Sequence, residues 1–130
     1  MPIQKQLSVF LENKPGVLAR LCDSFADSKI NILALTVSDT VDHAVVRLIV
    51  SHPEKALRLL EERGVLVVET EVLVLLLPHL PGALARIAER LSKAKVNIEY
   101  AYGTAAPGKP RSYFVLRVDD LAKARRALKA

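Results

Sequence analysis

Short apolar segments separated by turn residues divide the chain into predicted strands and helices. Residues 7–11 form an apolar run that is typical of a buried strand. A turn at residues 13–16 follows. Apolar residues then recur at i, i+3, i+4 and i+7 between residues 18 and 25, which predicts a helix with one buried face. The β-rich segments 30–38 and 44–50 predict a hairpin.

A second helix and a fourth strand complete this first unit. Polar residues that include Asp42 supply the turn of the hairpin. Ser51 and Glu54 have the spacing of a capping box, in which each side chain binds the other residue's free amide. Gly64 ends the helix that follows, and residues 65–68 form the strand. The order β-α-β-β-α-β predicts an antiparallel sheet with both helices on one face.

The second half of the chain repeats the first. Residues 15–32 reappear as residues 81–98, with eight of eighteen positions identical. The predicted elements of this half are strand 71–77, helix 82–94, strands 97–103 and 112–118, and helix 120–129, which Asp119 can cap. We therefore predict an α+β fold of two tandem ferredoxin-like units, residues 1–68 and 69–130, with the final strand missing from the second unit.

The missing strand has a consequence for the sheet edge. Strand 65–68 runs into strand 71–77 with no turn signal between them, so one long strand can belong to two sheets. Without a fourth strand of its own unit beside it, segment 71–77 is expected to form a bare, strongly apolar edge. Such an edge pairs readily with another chain, and both features favour an oligomer.

Composition excludes several classes of protein. A hydrophobic content of 51% with 25% charged residues is typical of a globular protein and argues against disorder. The longest apolar run is too short to span a bilayer, and residues 1–14 show no targeting pattern, so a cytoplasmic protein without a membrane partner is expected. The single cysteine, Cys22, and the three histidines lack metal-ligand spacing, and we expect neither a metal nor a cofactor.

The net charge of +5 comes from the second half of the chain. Residues 1–66 are balanced, whereas the basic residues gather late, from Lys109 to Lys129. A basic patch can attract phosphates or an acidic partner, or it can be a solvated helix face. The sequence leaves these alternatives open.

Candidate binding chemistry lies at two equivalent turns. Gly16 and Gly82 each precede a predicted helix, whose free amides and partial positive charge suit a carboxylate. Asn31 and Asn97 each open the next strand, and a carboxamide can both donate and accept hydrogen bonds. Together these groups suit an α-amino acid. The alternative is that the turns merely start helices and the asparagines merely end turns.

These turns and asparagines resemble those of the ACT domain, a small regulatory module of enzymes in amino-acid metabolism. Asn13-Lys14-Pro15-Gly16 with Asn31-Ile32, and His79-Leu80-Pro81-Gly82 with Asn97-Ile98, match the family's Asp/Asn-x-Pro-Gly turn and its Asn-Ile strand start. The resemblance covers nearly the whole chain as two tandem copies. It implies paired domains that bind small ligands, usually amino acids, between the Pro-Gly loop of one domain and the strands of its neighbour.

The resemblance also implies the residues of each pocket. The first pocket would use Asn13, Gly16, Val17 and Leu18, the second would use His79, Gly82, Ala83 and Leu84, and Asn31 and Asn97 would contribute from the strands. His79 stands where the family usually has Asp or Asn. We therefore expect the first loop to be the better site.

The predicted function is that of a non-catalytic sensor that binds an amino acid. No nucleophile arrangement, paired-carboxylate motif or nucleotide fingerprint occurs in the sequence. The expected partners are further copies of the chain, in a homodimer or larger homo-oligomer, and a regulated metabolic enzyme. One alternative is a ligand-free oligomerisation scaffold.

Binding of single-stranded RNA is a second alternative, because RNA-recognition modules share this topology and the pI is about 9.6. Tyr113 and Phe114 lie on the third strand of the second unit, where those modules carry stacking aromatics. Strand 71–77 and strand 44–50 carry none, which disfavours nucleic acid as a partner.

Overall fold

The computed structural model describes residues 3–39, 43–105 and 107–129. Its elements are β1 (Ile3–Glu12), α1 (Val17–Asp27), β2 (Ile32–Asp39), β3 (His43–Val50), α2 (Pro53–Glu62), β4 (Val67–Pro78), α3 (Ala83–Lys93), β5 (Ile98–Ala105), β6 (Arg111–Val118) and α4 (Leu121–Leu128). This order confirms the predicted α+β fold. The predicted turn residue Asp42 and the predicted domain ends at residues 1 and 130 lie outside the described residues.

One compact unit comprises Lys5–Thr70. Its strands are ordered β2-β3-β1-β4, and β1 pairs antiparallel with β3, with Leu7 opposite Leu48. Side chains of one sheet face pack against the apolar faces of α1 and α2, because alternate strand residues point to the same side. The fully buried members of this core include Leu7, Val9, Phe25, Leu48 and Ala56.

The other unit comprises residues 3–4 and 71–129 of the described chain. Here β6 lies between β4 and β5, and all pairings are antiparallel. Its core joins β4 and β6 to α3 and α4, and Ile3 of β1 packs against it. The core residues are Leu73, Leu75, Leu77, Ala83, Ile87, Leu91, Val96, Leu116, Val118, Ala124 and Leu128.

The predicted bare edge at residues 71–77 is wrong. Val72, Leu73, Val74 and Leu75 are at most 2% exposed, and β4 has a neighbouring strand on each side, β1 and β6. The sequence prediction missed this because it began β1 at residue 7, four residues after its true start at Ile3. Of these extra residues, Ile3 and Gln4 belong to the same unit as the part of β4 that begins at Glu71.

The predicted merger of two strands into one is confirmed, since β4 runs without a break from Val67 to Pro78. Residues up to Thr70 belong to one unit and residues from Glu71 to the other. The predicted domain boundary between residues 68 and 69 stays a prediction.

The duplication extends to details of the backbone. Lys29 and Lys95 adopt left-handed conformations, with φ of 59° and 60°, directly after α1 and α3. In both places the amide of the following residue donates to a carbonyl of the helix. Ile30 donates to Phe25 at 2.8 Å, and Val96 donates to Leu91 at 2.9 Å. These bonds satisfy carbonyls that the helix end leaves open. Each unit also has a strand irregularity sixty-six residues from the other, after Ile32 and after Ile98.

The predicted N-caps of α2 and α4 are each displaced by one residue. His52 rather than Ser51 is the N-cap of α2, and no side chain caps that helix, so the predicted capping box with Glu54 does not form. The N-cap of α4 is Asp120, which accepts a hydrogen bond from the Lys123 amide, rather than Asp119. Ser51 and Asp119 are not available as caps because their side chains bind elsewhere, as described below.

Candidate functional site

In the first Pro-Gly turn, a left-handed glycine directly precedes α1. Gly16 is the N-cap of α1, with φ of 87°, and its carbonyl accepts from the Arg20 amide at 3.0 Å. Asn13 is exposed and does not cap the helix. Val17 is half-buried and Leu18 is 40% exposed. The Val17 amide donates to the Lys14 carbonyl at 3.4 Å, whereas the amides of Leu18 and Ala19 have no partner within the helix, so these two are the donors that the turn presents.

The second Pro-Gly turn has the same backbone conformation. Gly82 has φ of 86°, and its carbonyl accepts from the Arg86 amide at 3.0 Å. Ala83 is buried, whereas Leu84 is 41% exposed. The repeat therefore reproduces one local structure twice, as its sequence predicts.

The side chains that precede the two glycines differ in their contacts. The His79 amide donates to the Pro110 carbonyl at 2.9 Å, and its Nδ1 lies 3.3 Å from the Ser112 hydroxyl at the start of β6. Asn13, the equivalent residue, has no side-chain hydrogen bond to any described residue. The first turn thus offers an uncommitted carboxamide, and the second offers an imidazole that is already engaged.

Asn31 and Asn97 are held by matching pairs of hydrogen bonds. The Asn31 amide donates to the Ser51 hydroxyl at 2.8 Å, and the Ser51 amide donates to the Asn31 carbonyl at 2.9 Å. Asp119 replaces Ser51 in the other unit, with distances of 3.0 and 3.1 Å to Asn97. Both asparagines are exposed. The sequence prediction missed these two anchors, although they occupy the same place after the third strand of each unit.

Within either unit the structure does not bring the turn and the asparagine together. Gly16 and Asn31 lie beyond opposite ends of α1, which has 11 residues. At 1.5 Å per residue such a helix is roughly 16 Å long. Gly82 and Asn97 are separated by α3 in the same way. No single amino acid can contact both members of a pair from one unit.

Asn97 borders an open depression of about 440 Å³ at the C-terminal end of α3. Ser92 and Lys95 also line it, and Lys95 supplies a positive charge. Of the late basic residues noted in the sequence, Arg125, Arg126 and Lys129 line a separate depression of about 310 Å³ on and after α4.

The aromatic residues of β6 are committed to packing. Phe114 packs against the core of its unit. The Tyr113 hydroxyl is buried without a hydrogen-bond partner among the described residues, and burial raises the pKa of this phenol above its usual value. The RNA-binding alternative therefore loses support, because stacking requires accessible rings.

Metal binding and membrane spanning each require a feature that the described part of the chain does not show. No group of three or more His, Cys, Asp or Glu residues there could hold a metal ion. No helix there is both long enough and apolar enough to cross a membrane.

Comparison with known proteins identifies the family. A model described as an ACT domain pair matches residues 1–129. The chain belongs to this family. ACT domain pairs are small-ligand regulatory domains rather than catalytic ones. No curated protein matches the sequence.

Several solved structures share the fold of this chain. A protein from Bacteroides thetaiotaomicron is 36% identical, with a TM-score of 0.91, over 97% of this chain and 86% of that one. The ligand-free regulatory subunit of aspartate kinase from Thermus thermophilus is 16% identical, with a TM-score of 0.69, over 98% and 95%. The aspartate kinase of Clostridium acetobutylicum is 13% identical, with a TM-score of 0.59, over 97% and 33%. At such low identities the two kinase matches show the fold.

Proposed function

We propose that this ACT pair is a non-catalytic sensor that binds an α-amino acid at its Pro-Gly turns. One observation carries the proposal. Gly16 and Gly82 are left-handed, and the space that a Cβ atom would occupy on each holds no other atom within 4 Å. A ligand carboxylate can therefore approach the open amides of Leu18 and Ala19 in α1, or of Leu84 and Ala85 in α3, where the partial positive charge of the helix end favours an anion.

The other end of the amino acid needs a second binding element. Asn31 and Asn97 are suitable, because a carboxamide oxygen accepts a hydrogen bond from an ammonium group. Each is too far from the glycine of its own unit. We therefore propose that turn and asparagine come from different ACT domains. The paired hydrogen bonds to Ser51 and Asp119 fix the backbone of each asparagine before a ligand arrives.

The two turns are proposed to differ in affinity. Asn13 can turn its carboxamide to a ligand without breaking a contact to a described residue. His79 would have to leave Ser112, whose hydroxyl lies 3.3 Å from its Nδ1. A ligand at the second turn therefore loses an interaction that a ligand at the first turn keeps, and the first site is proposed to bind more tightly.

A second copy of the chain is the proposed oligomer partner, and β2 is the proposed contact. Among the strands that the structure describes, this one has a single neighbour, β3. Leu33, Leu35 and Val37 are 50%, 41% and 46% exposed along it. Open backbone groups beside exposed apolar side chains favour pairing with another strand. The equivalent positions of β5 are Glu99, Ala101 and Gly103, so the second unit lacks this apolar row.

The regulated partner is proposed to be a separate metabolic enzyme. Support comes from the Thermus protein, which is named as a regulatory subunit of aspartate kinase and of which the match covers 95%. A chain of this size and fold can therefore exist as a subunit apart from a catalytic chain. The identity of the enzyme is a question for affinity capture in the presence of the amino acid that binds.

Thermal unfolding with each of the twenty amino acids tests the sensor. A ligand at a hundred times its dissociation constant adds about 2.7 kcal/mol to the free energy of unfolding. The Gly16→Ala variant should lose this gain by placing a methyl group where the carboxylate binds. Gly64→Ala is the matched control, because Gly64 is also left-handed, with φ of 72° and open space around it, but lies after α2.

Two results would count against the sensor. If no amino acid raises the unfolding temperature, the chain acts as the ligand-free scaffold that the sequence left open. If Gly64→Ala weakens binding as much as Gly16→Ala does, the first turn is not the site.

A further inference from the structure

Each unit has a groove on its helix side whose lining includes one residue of the predicted amino-acid pocket, Val17 or Ala83, but neither the glycine nor the asparagine of that pocket. The first helix-side groove is formed by β1, α1, α2 and Val65, and has a volume of about 230 Å³. The second helix-side groove is formed by the end of β4 and α3, and has a volume of about 200 Å³. Each groove is lined by residues of its own unit only.

Apolar side chains form the walls of the first helix-side groove. Leu21 and Leu60 are almost fully buried and belong to the core of the unit, so they form its floor. The other apolar lining residues are Leu11, Val17 and Val65. A surface of this kind binds hydrocarbon, because contact removes apolar area from water.

Two arginines lie at the rim of the same groove. Ser24 connects them, since its hydroxyl donates to the Arg20 carbonyl at 2.9 Å and accepts a hydrogen bond from Arg63 Nη1. Among the described residues, no carboxylate lies within 4.0 Å of either guanidinium. The groove thus combines an apolar floor with two positive charges that lack an acidic partner.

The second helix-side groove repeats this combination. Five of its lining residues, Leu77, Ala83, Arg86, Ile87 and Arg90, follow those of the first by sixty-six positions. Arg86 is the equivalent of Arg20. Arg90 occupies the position of Ser24, so this groove also has two arginines although nothing equivalent to Arg63 lines it. Both copies therefore keep an apolar wall and a double positive charge.

We propose that the first helix-side groove binds a small aliphatic monocarboxylate. The carboxylate lies at Arg20 and Arg63, and the hydrocarbon chain lies against Leu21 and Leu60. Guanidinium groups bind carboxylates strongly, and the contact with Ser24 orients Arg63 in advance, which lowers the ordering cost of binding. A volume of about 230 Å³ is smaller than the pockets that hold drug-sized ligands, so the chain has only a few carbons.

An α-amino acid does not fit this groove as well. The lining residues include no carboxylate and no carboxamide that could accept hydrogen bonds from an ammonium group. An ammonium brought there would lose water and meet two guanidinium charges, and the one side-chain acceptor in the lining, the Ser24 hydroxyl, already accepts from Arg63. The chemistry of the groove therefore differs from that of the Pro-Gly turns, and the two sites can be tested separately.

Amide NMR titration of the whole chain with isocaproate tests the proposal. Saturable shifts are expected at Leu11, Leu21 and Leu60. Arg63→Gln should weaken binding roughly fivefold to tenfold, because it removes one charged hydrogen-bond donor. Arg58→Gln is the matched control, since it removes the same charge from an exposed position of α2 that does not line the groove.

Two further probes separate charge from hydrocarbon. Isocaproamide has the same chain without the charge, and acetate has the charge without the chain, so each should bind much more weakly than isocaproate. The proposal is overturned if isocaproamide binds as tightly as isocaproate, if Arg58→Gln has the same effect as Arg63→Gln, or if the shifts are confined to the Pro-Gly turns. Failure here leaves amino-acid binding at Gly16 untouched, because that site is followed with a different ligand.

Discussion

Asn97 and Asp119 hold each other by two hydrogen bonds. The Asn97 amide donates to the Asp119 side chain at 3.0 Å, and the Asp119 amide donates to the Asn97 carbonyl at 3.1 Å. Asn31 and Ser51 form the same pair in the other unit. The duplication thus preserved the connection while the accepting side chain changed from a hydroxyl to a carboxylate.

Asp119→Ala should lower the free energy of unfolding by about 1 kcal/mol, because it leaves the Asn97 amide without its acceptor. Urea denaturation measures the loss. Asp119→Asn is the matched control, since its carboxamide oxygen can still accept the bond, and it should lose less. Equal losses for the two variants would show that the hydrogen bond does not matter.

Gly103→Ala should be more damaging than an exposed position suggests. A Cβ atom on Gly103 would lie 2.2 Å from Cδ1 of Phe114 and 2.7 Å from the Tyr113 carbonyl oxygen. The Phe114 ring would have to leave the core, and overpacking of this kind costs about 1–3 kcal/mol. Ala101→Ser, on the same strand, should change stability little.

A double-mutant cycle tests the cause of that loss. Phe114→Leu removes the ring that meets the new methyl group, so Gly103→Ala should cost less in that background than in the natural chain. If the two losses simply add, the ring is not the obstacle.

Tyr113→Phe should stabilise the protein by about 1 kcal/mol, since it removes a buried hydroxyl that has no partner among the described residues. Burial raises the pKa of Tyr113 above 10.0. The unfolded chain therefore loses this proton first, and stability should fall as the pH rises from 10.0 towards the raised pKa. The fall should be smaller in Tyr113→Phe. Unfolding curves of both proteins across alkaline pH measure the difference, and parallel pH profiles would contradict it.

Lys29→Gly should stabilise the protein by roughly 0.5–1 kcal/mol. Lys29 has φ of 59°, a conformation that costs a side-chain-bearing residue about 1–2 kcal/mol and glycine much less, although glycine gives back part of the gain as chain entropy. Ser28 has φ of −92°, so Ser28→Gly should destabilise instead. Thermal unfolding of the two variants should show shifts of opposite sign, and a shift of the same sign would refute this explanation.

Local patterns were enough to predict the order of elements and both Pro-Gly turns, because periodicity and turn chemistry act over a few residues. The caps were misplaced because Ser51 and Asp119 are good capping residues that bind Asn31 and Asn97 instead. That competition joins residues 20 and 22 positions apart, and no local rule detects it.

The candidate site was predictable in its parts and not in its assembly. Sequence indicates Gly16 and Asn31, but only the course of α1 shows that they lie far apart. The exposed apolar edge was likewise expected at residues 71–77. That segment is not an edge because β1 begins at Ile3, before the predicted segment. The exposed apolar row lies on β2 instead. The helix-side grooves escaped notice because Arg63 and Leu21 come from helices that only the fold brings together.

β1 is divided between the two units, and this division affects the order in which its residues can pack during synthesis. Ile3 is made more than a hundred residues before Leu116 and Leu128, which belong to the core that it joins. All residues of the unit from Lys5 to Thr70 have been made well before Leu116 and Leu128. The first residues of β1 can complete their packing only after α4 has been made.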